Sequence, residues 1–171
     1  MKHPFFIFLL LLSGGLTHGQ SLKKYPIGNS GCSAYIYCAP KFDISKSQDS
    51  SQVYTGECAQ DGINYGIICV KLLNPLTDLA MAENLIINYA DHLKGSFDIT
   101  KSAGYGKGQR LNNNKQTRGI IDYWQDAEKN NWKIKAWTDG QYIGFLYAYS
   151  LKELPETKIN VFLDGFRIPV K

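Results

Sequence analysis

Hydrophobic and polar residues alternate most regularly between Asn131 and Ser150, NWKIKAWTDGQYIGFLYAYS, and this two-residue period predicts a β-hairpin. Asp139-Gly140 separates the two runs and is a favoured type I′ pair, in which both central residues take positive φ. With Thr138 facing Gln141, Trp132 falls opposite Tyr147, Ile134 opposite Phe145 and Ala136 opposite Ile143, on a face that reads as core. The other face carries Lys133 opposite Leu146, Lys135 opposite Gly144 and Trp137 opposite Tyr142.

The same pattern organises the rest of the chain. SAYIYC (33–38), QVYTGEC (52–58) and YGIICVKLL (65–73) read as three neighbouring antiparallel strands, with a polar loop over 45–51 and a turn at Asp61-Gly62. Asn74-Pro75-Leu76-Thr77 starts a helix, capped by Thr77 or Asn74, that runs to about Lys94. Leu79, Ala82, Ile86, Tyr89 and Leu93 form its apolar stripe, broadened by Ile87 and Ala90, and Gly95 suits its end. A strand over 97–107, a polar basic loop QRLNNNKQTRG and a strand over 119–126 follow. Setting Trp124 opposite Lys133 puts Asp122 opposite Lys135 and Ile120 opposite Trp137, with Tyr123 and Ile121 on the core face. Ile159, Phe162, Leu163 and Phe166 are spaced for a closing helix. The expected class is α+β, a mostly antiparallel sheet with a long helix after the third strand and a C-terminal helix.

The start of the chain and its cysteines change the picture. MKHPFFIFLLLLSGGLTHG joins a basic beginning to a short apolar run and small residues, so residues 1–19 read as a signal peptide and 20–171 as one exported domain. The apolar run falls short of the roughly 20 residues a membrane span needs. Without residues 1–19 the chain holds 18 basic and 15 acidic residues, a net +3 that is too weak for a nucleic-acid binder. Four cysteines, Cys32, Cys38, Cys58 and Cys69, predict disulfides rather than zinc, because no C-x-x-C is present and exported thiols oxidise. An extended 32–38 holds its two cysteines about 20 Å apart, which excludes a Cys32–Cys38 bridge. A hairpin centred near residue 45 then pairs Cys32 with Cys58 and leaves Cys38 for Cys69.

Candidate chemistry is sparse. His92 is the single histidine beyond residue 19, which leaves little for a Ser-His-Asp triad or a paired-histidine metal site, and it reads as a solvated helix residue. Gly104-Tyr105-Gly106-Lys107-Gly108 lacks the GKS or GKT of a phosphate loop and the spacing of a dinucleotide fingerprint, so it reads as a twisted or bulged strand end. No cofactor motif or metal-ligand spacing is present. Asp122, Asp126 and Glu128 offer only a weak acid/base pair. The binding candidates are Trp124, Lys133, Lys135, Trp137 and Tyr142, with Ile120, on the outer face of the late sheet, where rings flanked by lysines suit a protein contact unless a helix covers them.

The order of hairpin, long helix, antiparallel strands and a closing segment Val161-Phe162-Leu163-Asp164-Gly165-Phe166 resembles the PsbP/Mog1-like α/β/α sandwich, whose members often end in a similar FLDSF element. The resemblance implies a non-enzymatic domain that binds or helps to assemble other proteins. The residues therefore lean away from an enzyme and toward an exported binding or assembly module with an unidentified protein partner. A small-ligand carrier is the alternative, and an extracytoplasmic hydrolase the last.

Overall fold

The computed structural model of the protein describes residues 21–169, so the leader reading of residues 1–19 lies outside the described residues. The described chain is a mixed α+β structure of two helices and a large antiparallel sheet. In chain order the strands are β1 (Lys23–Pro26), β2 (Ser33–Ile36), β3 (Lys41–Lys46), β4 (Gln52–Gln60) and β5 (Ile63–Lys71), followed by helix α1 (Leu79–Ser96). Then come β6 (Ile99–Ser102), β7 (Gly106–Gln109), β8 (Arg118–Asp126), β9 (Asn131–Thr138), β10 (Tyr142–Ser150), helix α2 (Glu156–Leu163) and β11 (Phe166–Arg167). The large sheet runs β3-β4-β5-β10-β9-β8-β6, with β7 also on β8, and β1-β2-β11 form a separate three-stranded sheet. The long helix thus follows the fifth strand, not the third, and α2 is followed by a short strand that takes up Phe166.

The central hairpin keeps its faces but not its turn. Thr138 pairs with Ile143 and Trp132 with Tyr149, two residues away from the expected register. A four-residue connection replaces the type I′ pair: Asp139 Oδ1 accepts from the backbone N–H groups of Gln141 and Tyr142, both at 2.9 Å, and Thr138 Oγ1 accepts from Gly140 N at 3.0 Å. Gly140 takes a positive φ of 86° while Asp139 does not, and Gly140 O accepts from Leu76 N at 2.8 Å. Because the shift is even, Trp132, Ile134, Ala136, Ile143, Phe145 and Tyr147 still share one buried face.

The β8–β9 pairing differs by one residue, with the opposite consequence. Lys129, at φ 70°, closes a three-residue loop in which its N–H donates to Asp126 O at 3.2 Å, and Trp124 pairs with Trp132 rather than Lys133. An odd shift exchanges the faces. Ile120, Asp122 and Trp124 therefore join the core under α1, Ile121 lies on the other side, and Tyr123 is exposed.

At the N-terminal end, residues 41–46 form a strand where the sequence reads only as approach and loop. The β3–β4 turn lies over 47–51, where the carboxylate of Asp49 accepts from both Ser47 and Ser51 side chains and from Ser51 N. Lys41 faces Glu57, so the chain brings Cys38, not Cys32, up to Cys58. The disulfide observed is Cys38–Cys58, with Cα atoms 5.9 Å apart, which corrects the expected Cys32–Cys58 and Cys38–Cys69 pairs. Cys32 and Cys69 are buried thiols. SAYIYC lies in the small sheet and does not pair with QVYTGEC.

Both faces of the large sheet are covered. Helix α1 starts at Asp78, whose Oδ1 accepts from Ala80 N at 2.7 Å, in place of the expected Thr77 or Asn74. Its buried stripe is Ala82, Ile86, Ala90 and Leu93, packed over β8, β9 and β6. The opposite face is covered by the small sheet and by α2, which buries Ile159, Phe162 and Leu163. Rings occupy the glycine positions of the sheet. Tyr147 lies over Gly66, Trp137 over Gly119 and Phe166 over Gly144, each where a Cβ would collide with the ring.

This packing sets two expectations for denaturant midpoints. Phe145→Ala removes a fully buried ring under α1 and should cost about 3 to 5 kcal/mol. Gly140→Val would drive a β-branched Cβ into the Leu76 carbonyl at positive φ and should also lower the midpoint measurably. An unchanged midpoint for either variant contradicts the arrangement described.

Candidate functional site

The sequence-predicted binding residues are divided by the fold. Trp124 and Ile120 are buried on the α1 face. Lys133, Lys135, Trp137 and Tyr142 lie on the other face, under α2 and the small sheet. Lys133 is 2% exposed and its ammonium pairs with Glu156 at the start of α2; Lys135 Nζ lies 2.7 Å from Asp164 Oδ1 at the helix end. The Lys133 hydrogen bond holds the Glu156 carboxyl below its usual range. Trp137 donates Nε1 to Leu163 O at 2.8 Å. The ring beside Lys133 is Tyr123, 5.0 Å from its ammonium, and not Trp124. Trp124 and Lys133 both line a cleft of about 340 Å³ with Glu153 and Glu156, while Lys135 and Trp137 line a polar one of about 260 Å³ with Arg110.

Other sequence candidates are equally engaged. Asp122, fully buried, does not meet Lys135; it accepts from Ser102 Oγ at 2.7 Å, Trp124 Nε1 at 2.6 Å and Tyr123 N at 2.7 Å, with Lys94 Nζ at 3.6 Å. His92 is exposed on α1. The glycine-rich 104–108 stretch carries a register irregularity against β8, and Gly108 N donates to Glu83 Oε1 at 2.9 Å. Among the described residues no group of three or more His, Cys, Asp or Glu could hold a metal ion, and no helix is long and apolar enough to cross a membrane.

A different cleft, of about 390 Å³, opens on the α1 side where β9 begins and β10 ends. The β9–β10 register sets Trp132 directly opposite Tyr149, and their rings stack at 4.1 Å with an 11° interplanar angle. Phe97, the residue that ends α1, stacks on Trp132 at 5.0 Å. Around these rings stand Glu57 from β4, Asp98 after α1, and Asp126 and Glu128 at the β8–β9 turn. Glu57, Asp98 and Glu128 are exposed, and none of the lining residues is basic in a chain whose net charge is +4.

The cleft is held in shape by its own polar contacts. Tyr149 donates to Glu57 Oε1 at 2.8 Å. Asp126 accepts from Trp132 Nε1, Asn130 Nδ2 and Asn130 N, all at 2.8 Å. Burial pushes the Asp126 carboxyl up, but the hydrogen bonds from Asn130 and Trp132 outweigh it and leave it below its usual value, so it carries charge at neutral pH. Burial, and after it the neighbouring Glu57, raises the phenols of Tyr147 and Tyr149, which stay protonated. Trp132 and Tyr147 are buried and Tyr149 half-buried, so a ligand meets the Tyr149 ring and the carboxylates, and an electron-rich ring beside carboxylates attracts a cation.

Sequence reading missed this cleft because its walls come from four separate segments. The local signals are the aromatic repeat Phe145, Tyr147, Tyr149 and the acids of Asp126-Ala127-Glu128, but nothing in the linear order brings Glu57 or Phe97 to them. No protein-family model matches the chain, and no curated protein is significantly similar to it.

Asp126 supplies a pH prediction. A carboxyl depressed by folding contributes stability that is present above its unfolded value of about 3.9 and is lost as the pH falls through the lower folded value. Asp126→Asn should therefore be less stable than the parent near pH 7, and the gap should narrow below about pH 4. Urea midpoints measured from pH 7 to pH 2 check this; a gap independent of pH would show that the charge contributes nothing.

Proposed function

We propose that the protein is an exported binding module of PsbP/Mog1-like α/β/α architecture, acting through protein contacts rather than catalysis, and that the cleft at Trp132 and Tyr149 receives a basic side chain of its partner. The single observation that carries this reading is the stacked Trp132–Tyr149 pair bordered by four carboxylates and no basic residue. Rings present contact area at low ordering cost, and the carboxylates favour a lysine or arginine over neutral side chains. The Cys38–Cys58 bridge fits an oxidising compartment, as does the leader-like start of the sequence. The small-ligand carrier keeps some support from the cleft volume, which lies within the range of small-molecule sites. In that case a free organic cation would bind as well as a peptide.

Calorimetric titration of the protein with short lysine-rich, arginine-rich, glutamine-rich and choline-containing ligands separates these readings. Selective binding of basic peptides is expected, weakened by added salt and reduced about tenfold in an Asp98→Lys, Glu128→Lys double variant, equivalent to about 1.4 kcal/mol. Both positions are exposed, so the variant should fold. Equal affinity for choline favours the carrier. Binding that ignores the two charge reversals, or that prefers the glutamine peptide, defeats the assignment of the cleft.

A further inference from the structure

The two remaining cysteines lie in different sheets. Cys32 directly precedes β2 in the three-stranded sheet, where Ile27 N donates to Cys32 O at 3.0 Å and Cys32 N donates to Ser30 Oγ at 3.0 Å. Cys69 is in β5 of the large sheet, paired on one side with Tyr54 and on the other with Gly144. Both are in the core between the large sheet and α2, 2% and 0% exposed. The neighbouring Cys32, and after it burial, push the Cys69 thiol up, so it stays protonated. Tyr54, the β4 neighbour of Cys69, donates its hydroxyl to Asn29 Oδ1 at 2.8 Å, and Phe166, paired with Ala34, lies over Gly144, the β10 neighbour of Cys69, so the segment carrying Cys32 packs on the strands around Cys69.

We infer that Cys32 and Cys69 form a second disulfide in the exported protein, one that ties the small sheet to the large one. Two cysteines brought from different sheets into one close-packed core lie where a bridge between the sheets can form. The reaction removes one hydrogen from each sulfur: one S–S bond forms, and the two electrons, with the two protons passed through solvent, convert a disulfide of an oxidising protein or small molecule to two thiols. The exchange must occur before the core closes, because the folded pair is shielded from any thiolate in solution. With Cys38–Cys58 already in place, the result is two nested loops, 38–58 inside 32–69. This inference stands apart from the cleft, whose lining contains neither cysteine.

The test is peptide mapping of the full-length protein recovered from its exported fraction, alkylated under denaturing conditions without reductant. The expected result is no alkylated cysteine and a peptide pair containing Cys32 and Cys69, lighter by two hydrogens than the separate thiols and released by reductant. Alkylation of both residues, or bridges Cys32–Cys58 and Cys38–Cys69, overturns the inference. A second measurement needs no mapping: a Cys32→Ser, Cys69→Ser double variant should unfold at lower urea than the parent without reductant, and the difference should shrink when both are reduced. A difference unaffected by reductant would mean that side-chain packing alone distinguishes the two.

Discussion

The strand pair β9 and β10 buries both of its faces, and the remaining structure follows from that requirement. A sheet covered on one side alone would leave Trp137, Leu146 and Ala148, or else Ile134, Phe145 and Tyr147, in water; here every one of them is buried. Two separate coverings are therefore needed, α1 on one face and α2 with the small sheet on the other. The lysines of β9 show how the second covering is fixed. Lys133 and Lys135 alternate with core residues, and each finds a carboxylate at one end of α2, Glu156 and Asp164. Their charges gain partners and α2 gains its position along the strand, while Trp137 ties the Leu163 carbonyl to the sheet from below.

The cleft is a consequence of the same strand pair. Where β9 starts and β10 ends, α1 has already finished at Ser96, Phe97 stacks on Trp132, and Tyr149 is left half-buried. The turn that joins β8 to β9 then brings Asp126 and Glu128 to the same end. Asp126 acts on shape as well as charge, since its three hydrogen bonds orient the Trp132 indole and close the turn. An electronegative recess in a basic protein is thus built from strand ends and turns over a rigid sheet.

Much of this was legible in the sequence, and the reasons for the misreadings are specific. Period-two alternation identified the central hairpin and its core face, and the faces survived a wrong turn because Asp139-Gly140 became part of a four-residue connection, an even shift. The β8–β9 loop has an odd shift, which a pattern of alternation does not reveal, and it exchanges the sides of Trp124 and Tyr123. The helix stripe Ala82, Ile86, Ala90 and Leu93 needed no tertiary information. The cysteine pairing did, because a polar 45–51 reads as a loop and hides the strand Lys41–Lys46 that carries Cys38 to Cys58. Likewise the partners of Lys133 and Lys135 lie 23 and 29 residues away, beyond the reach of any local pattern.

The account depends on which side of the sheet each tryptophan occupies, and a proton NOE map of the aromatic side chains reads that directly. The arrangement described predicts Trp124 close to Phe145, Trp132 close to both Tyr149 and Phe97, and Trp137 close to α2. Contacts from Trp124 or Trp132 to the buried Phe162 of α2 would place β8 or β9 in the other register and contradict both the two-sided core and the cleft built on it.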